Sequence, residues 1–247
     1  MGSSLFASDL KKLDVGDVME YRLRNFKTNN LTVLADGLAL NSLESSVKGF
    51  LGSAEATPVT SIPSGFTGGS VRVRADLAGD THVAVAFPTQ SGAAGKAYTV
   101  LKEVLASRLK GTNAVGSYAS AFSIPYSDGG LIGAYCAASS VSGAEDLVGT
   151  VIKELKAIAT SCDVTSATNK ITLSNLMALE GGASAADVML AASVQGLDTM
   201  EYADVRNVSA KDVSAAAAAV LKANPAIAVL GATYGLKSFD SIKASMQ

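Results

Sequence analysis

The 247-residue sequence contains one histidine, two cysteines and no tryptophan. Each shortage closes off a chemistry. A serine or cysteine nucleophile activated by histidine would have to use His82. That residue lies in Thr81-His82-Val83-Ala84-Val85, an alternating run with no G-x-S-x-G elbow beside it, and so reads as structural. A single histidine, with no cluster of acids at ligand spacing, leaves no zinc site to assemble. Cys136 and Cys162 are too few and too far apart for a zinc ribbon or a CxxC redox pair. Cys136 falls in the apolar run 131–138 and reads as a buried thiol. Sparse cysteine favours a reducing compartment.

Charge is also scarce. Charged residues make up 17% and the formal net charge is -2, which provides no field to gather DNA, RNA or an anionic membrane. No apolar run approaches the roughly 20 residues needed to span a bilayer. The softest stretch, 214–221, is mostly alanine and ends at Lys222, so the chain reads as soluble. At the start, Leu5 and Phe6 precede Lys11 and Lys12, the wrong order for a secretory signal, and no Arg-rich presequence is evident. Hydrophobic residues are plentiful at 48%, which supplies a core and excludes a disordered chain.

The hydrophobic pattern divides the chain. Residues 17–26 read as a short helix capped by Asp14 or Asp17, 31–38 as a strand, and 42–51 as a helix starting at the Ser42 cap. Residues 52–69 hold two of the five prolines, Pro58 and Pro63, with four glycines, which is a linker composition. Beyond it Val71, Val73 and Ala75 alternate with Arg72 and Arg74, a half-exposed strand. The turn Gly79-Asp80 then predicts an antiparallel pair with a strand over 81–87. Ala94, Ala97, Tyr98, Leu101, Leu105 and Leu109 mark one buried helix face. Two more strands, 120–126 and 131–138, flank the turn Ser127-Asp128-Gly129-Gly130. Leu147, Val148, Val151, Ile152, Leu155 and Ile158 form a second helical stripe. Two helices, 164–180 and 183–197, break at Gly181-Gly182. A serine-capped alanine helix over 209–222 and a last strand over 226–231 complete the pattern. Grouped strands and helices predict an α+β fold with an antiparallel-rich sheet and packed helices.

Several weaker signals resolve to bland readings. Gly65-Phe66-Thr67-Gly68-Gly69 has no GK[ST] after it, and Asp36-Gly37-Leu38-Ala39 lacks G-x-G-x-x-G spacing, so both read as turns. Arg72, Arg74, Lys96, Lys102, Arg108 and Lys110 interleave with Asp76, Asp80 and Glu103, a solvated face rather than a basic patch. Tyr118, Phe122, Tyr126 and Tyr135, spaced along strands, read as core.

The run Ala121-Phe122-Ser123-Ile124-Pro125-Tyr126-Ser127-Asp128-Gly129-Gly130-Leu131-Ile132-Gly133-Ala134-Tyr135 resembles the strand-turn-strand in the C-terminal half of the mitochondrial processing peptidase family. That family comprises the α and β peptidase subunits and the core subunits of the cytochrome bc1 complex. Gly68-Gly69-Ser70-Val71-Arg72 with Thr81-His82-Val83-Ala84-Val85 resembles the hairpin opening that half. Asn224-Pro225-Ala226-Ile227-Ala228-Val229-Leu230-Gly231 is similar to its last strand. The resemblance implies two α+β halves: residues 1–51 as the end of the first, 52–69 as linker and 70–247 as the second.

The family's enzymes carry a His-x-x-Glu-His zinc motif in the first half, which is absent here. They also place an arginine and a tyrosine in the second half. Tyr118 stands near that place, but no arginine occurs between Gly111 and Tyr126. The resemblance therefore implies no catalytic, cofactor-binding or metal residue in this chain. It implies instead a structural core subunit of the bc1 complex, peripheral on the matrix side of the mitochondrial inner membrane. Its partners would be another core subunit, cytochrome b and cytochrome c1, with a separate chain as a route to completing the first half, and no nucleic acid. The other reading is the non-catalytic α subunit of the processing peptidase, paired with a β peptidase-like subunit. The short segment 111–117 is a poor match to its glycine-rich loop.

Overall fold

The computed structural model describes residues 13–26, 31–51, 65–75, 79–126, 128–194 and 196–246. Helix α1 (Val15–Asn25) starts at a capping box in which both candidate aspartates act. The Asp14 carboxylate accepts from the Asp17 amide at 2.9 Å, and the Asp17 carboxylate accepts from the Asp14 amide at 3.1 Å. No residue of α1 is buried. Helix α2 (Leu40–Leu51) begins before Ser42, because the Ser42 and Leu43 amides both donate to the Ala39 carbonyl. Ser42 is thus inside the helix rather than its cap.

Residues 31–38, expected as a strand, form none. They run irregularly into bends at 36–38, where Gly37 has φ 73°. Their amides donate to no backbone partner among the described residues. A strand is defined by its ladder, and a β-like composition without a neighbour is only an extended segment.

The main body holds five strands and, among the described residues, the remaining helices. β1 (Gly69–Arg74) and β2 (Thr81–Thr89) are followed by α3 (Ala93–Leu109), then by β3 (Ser117–Pro125) and β4 (Gly130–Ala138). Helices α4 (Val141–Thr160), α5 (Thr165–Leu179), α6 (Gly182–Val194), α7 (Thr199–Ala203) and α8 (Ala210–Lys222) lead to β5 (Ala226–Gly231) and α9 (Phe239–Met246). The break between α5 and α6 falls at Gly181, as its composition predicts. Ser209 caps α8 through a full capping box with Asp212.

The sheet order is β1-β5-β2-β4-β3. The β3–β4 hairpin forms as expected, closed by the Tyr126 amide on the Gly129 carbonyl at 2.9 Å. The expected β1–β2 pair does not form. The last strand inserts between them, parallel to β1 and antiparallel to β2. Two glycines admit this insertion. A Cβ on Gly68 (φ 73°) would fall 2.6 Å from the Pro225 carbonyl oxygen, and one on Gly231 (φ 118°) would lie 2.5 Å from that of Asp80. A turn at Gly79-Asp80 is compatible with either pairing, so the local signal could not decide between them.

One face of the sheet carries the core. Val83, Val85 and Phe87 of β2 and Ile132, Ala134 and Cys136 of β4 are buried in a single cluster. With them lie Leu101 and Leu105 of α3, Val151 and Leu155 of α4, and Val213 and Ala217 of α8. Alanines let one face of α8, Val213, Ala216, Ala217 and Val220, pack closely into the core, while Ala215 and Ala219 stay exposed.

Candidate functional site: an uncovered sheet face

Strand register assigns every side chain to one of two faces. Val71, Ala228, Ala84, Tyr135 and Ser120 form one row across all five strands. Val73, Leu230, His82, Ala137 and Tyr118 form the next, and Gly69, Ala226, Ala86, Gly133 and Phe122 the one beyond. None of these rows enters the core cluster, whereas the alternate rows, such as Val229, Val83, Cys136 and Ala119, do. The result is a floor of alanine and glycine. It is flanked by Val71, Val73 and Leu230 on one side and by aromatic rings on the other. Val71 and Val73 are exposed along a strand with no buried position.

His82 belongs to this face. Its Nδ1 lies 2.6 Å from the Tyr135 hydroxyl, and the two rings stack with centroids 6.0 Å apart. Tyr118 extends the cluster, 6.5 Å from Tyr135. The arrangement is an aromatic anchor on a flat apolar floor, with no nucleophile bonded to the imidazole. Among the described residues no group of three or more His, Cys, Asp or Glu side chains is placed to hold a metal ion.

The aromatics expected in the core are therefore displaced. Tyr118, Tyr126 and Tyr135 are exposed and Phe122 half-buried. Strand alternation alone does not tell which face a helix covers. Cys136 is fully buried as expected, and burial pushes its thiol up to about 12, so it is not a nucleophile at neutral pH. Cys162 is half-buried, its thiol 3.7 Å from the Ser214 hydroxyl. Gly65 to Gly69 leads into β1 with no helix opening from it, and Asp36-Gly37-Leu38 forms a bend just ahead of α2 but follows no strand, so neither has the strand-loop-helix frame of a phosphate cradle.

The basic residues do not form one solvated face. The Arg72 guanidinium binds the Leu236 carbonyl at 3.2 Å, and Arg108 pairs with Glu154 at 3.1 Å. Asp76 lies outside the described residues. Glu103, read as solvated, is buried between two lysines: Lys170 donates to its carboxylate, and Lys102 lies 3.5 Å away. Burial pushes the Glu103 carboxyl up, but the bond from Lys170 and the two ammonium charges outweigh it and hold it below the ordinary range. A carboxyl depressed on folding contributes stability that is present above its unfolded value and lost as pH falls through the folded one. Acid titration of the fold is expected to show wild type losing more stability below about pH 4.5 than Glu103→Gln. At neutral pH Lys170→Met should cost about 1 kcal/mol, because Lys170 is half exposed and Lys102 remains. A pH profile identical in wild type and Glu103→Gln would refute this coupling.

Comparison with known proteins fits this geometry. Residues 12–168 match the family described as the peptidase M16 inactive domain. The chain belongs to this family. The chain is also 25% identical, over 261 aligned positions, to the mitochondrial cytochrome b-c1 complex subunit 2 of Cryptococcus neoformans var. grubii. That alignment covers 94% of this chain and 58% of the relative. Among solved structures, a chain of complex III2 from Candida albicans, determined with Inz-5 bound, superimposes with a TM-score of 0.77 at 18% identity. That match covers 96% of this chain and 63% of the other, and it shows a shared fold. The chain thus spans about three-fifths of the length of the proteins it matches.

Proposed function

We propose that this chain is a non-catalytic structural core subunit of the mitochondrial cytochrome bc1 complex. The observation that carries the reading is the similarity to a bc1 subunit 2 along 94% of the chain, within a family domain described as inactive. An uncovered apolar sheet face, rimmed by Tyr118, Tyr135, Val71 and Val73, suits a protein that works by being packed against others. The chain would have no catalytic, cofactor or metal residue of its own. It would sit against a partner core subunit, cytochrome b and cytochrome c1, on the matrix side of the inner membrane. No described helix is long and apolar enough to cross a membrane, which suits a peripheral position.

The division into 1–51, linker 52–69 and second half 70–247 belongs to the same proposal. In the isolated chain the amides of residues 31–35, which have no ladder, should exchange with solvent within seconds to minutes, while those of β2 and β4 are protected. Protection of 31–35 equal to that of β2 would contradict the division.

The decisive experiment isolates the protein from its native membranes in mild detergent and identifies what accompanies it. Cytochrome b and cytochrome c1 in fixed ratio support the reading. A zinc-binding β peptidase subunit without cytochromes overturns it in favour of presequence processing.

A further inference from the structure

We propose that the cavity at the N-terminus of α3 binds a small oxyanion, a phosphate or carboxylate group. The cavity holds about 100 Å³ and lies between the end of β2, the first turns of α3, the β3–β4 hairpin and the α5–α7 side of the molecule. One water takes about 30 Å³ of the liquid, so the space admits an oxyanion rather than a single solvent molecule.

Three features of the wall point to negative charge. Helix α3 starts at Gly92 (φ 67°) with no side-chain cap; the Gly95 amide donates to the Gly92 carbonyl at 2.9 Å, and the helix start presents the positive end of the helix dipole. Gly95 and Ser91, on either side of this helix start, both line the cavity. Lys96, one turn in, is the one charged residue among the described residues lining it. Its ammonium is largely buried and donates to the Glu201 backbone carbonyl at 2.6 Å. The Glu201 carboxylate is 3.8 Å away and mostly exposed, and the Asp204 carboxylate also interacts with the Lys96 charge; neither is part of the wall. An ammonium has three donors, and these contacts do not use them all.

The third feature is independent of the helix end. Tyr98 is 6% exposed, yet its hydroxyl bonds to no described residue. Buried polar groups are ordinarily satisfied. Among the described residues no buried side-chain oxygen is sealed off without a partner, so the Tyr98 hydroxyl reaches accessible space; Tyr98 lines this cavity and, with Gln90 and Lys96, the adjoining groove towards Asn207 and Asp212. Burial pushes its phenol above the ordinary value, which keeps it protonated and able to donate. Gln90, Thr99 and Asn175 add further polar side chains to the wall. A buried donor without a partner, a lysine and an uncapped helix start thus border one space whose wall holds no carboxylate among the described residues. This inference does not depend on the assembly proposed above.

The test uses the full chain, with inorganic phosphate and acetate as probes at ionic strength held constant by chloride. Thermal melting and phosphorus-31 line broadening read the binding. Phosphate or acetate should raise the melting temperature saturably, and the better of the two identifies the head group. Tyr98→Phe should leave the melting temperature in chloride unchanged, since the hydroxyl has no protein partner, and weaken the ion's Kd about tenfold, as expected for a lost bond to a charged group. Lys96→Met should weaken it further. Equal responses of wild type and Tyr98→Phe, or no saturable effect at millimolar concentrations of either ion, would overturn the proposal and leave the cavity to water.

Discussion

Gly133→Ala is expected to destabilise the protein by about 3 kcal/mol, at the upper end of what overpacking costs. Gly133 sits in β4 opposite Ala86 of β2 and Phe122 of β3. A Cβ there would collide with the Val85 carbonyl oxygen and come within 2.9 Å of both the Ala86 Cα and the Phe122 ring. Two of those atoms are backbone of a central strand, so no change of rotamer relieves the clash. The comparison is Gly149→Ala in α4, where an added Cβ meets nothing within 4 Å. There alanine should be neutral or stabilising by up to about 1 kcal/mol, from helix propensity. Urea unfolding of both variants separates the two cases. A loss below about 0.5 kcal/mol for Gly133→Ala would mean that the strands part more easily than this register implies.

The second large effect distinguishes the two faces of the sheet. Phe87→Ala should cost about 3 to 5 kcal/mol, the usual range for a fully buried phenylalanine, because Phe87 is 1% exposed and lies within the core cluster. Tyr118→Ala, on the opposite face and 48% exposed, should cost less than about 1 kcal/mol in the isolated chain. Denaturant midpoints at unchanged m-value would report both. Comparable losses would show that something covers the Tyr118 face. A face that adds little to the monomer's stability would be free to take a partner, as the proposed assembly role requires.

Much of the architecture was legible because it is local. The caps at Asp14 and Ser209, the stripe from Leu147 to Ile158, the Gly181 break and the Tyr126–Gly129 turn all rest on residues a few positions apart. Backbone bonds and side chains within one or two turns suffice to specify them. Residues 31–38 show the limit of that logic. Their composition suits a strand, but a strand needs a neighbour, and composition does not supply one.

The lone histidine has no nucleophile motif beside it and reads as structural, and the strand-turn-strand around Gly129 pointed to the family. The sequence by itself determined most of the element types, the caps at Asp14 and Ser209, the β3–β4 turn, the buried thiol at Cys136 and the family membership, because each depends on near neighbours or on residue identity. Only the tertiary structure decided that β5 enters between β1 and β2, that helices cover one sheet face and leave Tyr118 and Tyr135 on the other, and that Glu103 is buried between Lys102 and Lys170. It alone also brought Tyr98, Lys96 and the α3 start to one cavity. Those outcomes depend on contacts between segments far apart in the chain, such as β1 with β5, whose energy is realised only when the whole body closes around one core.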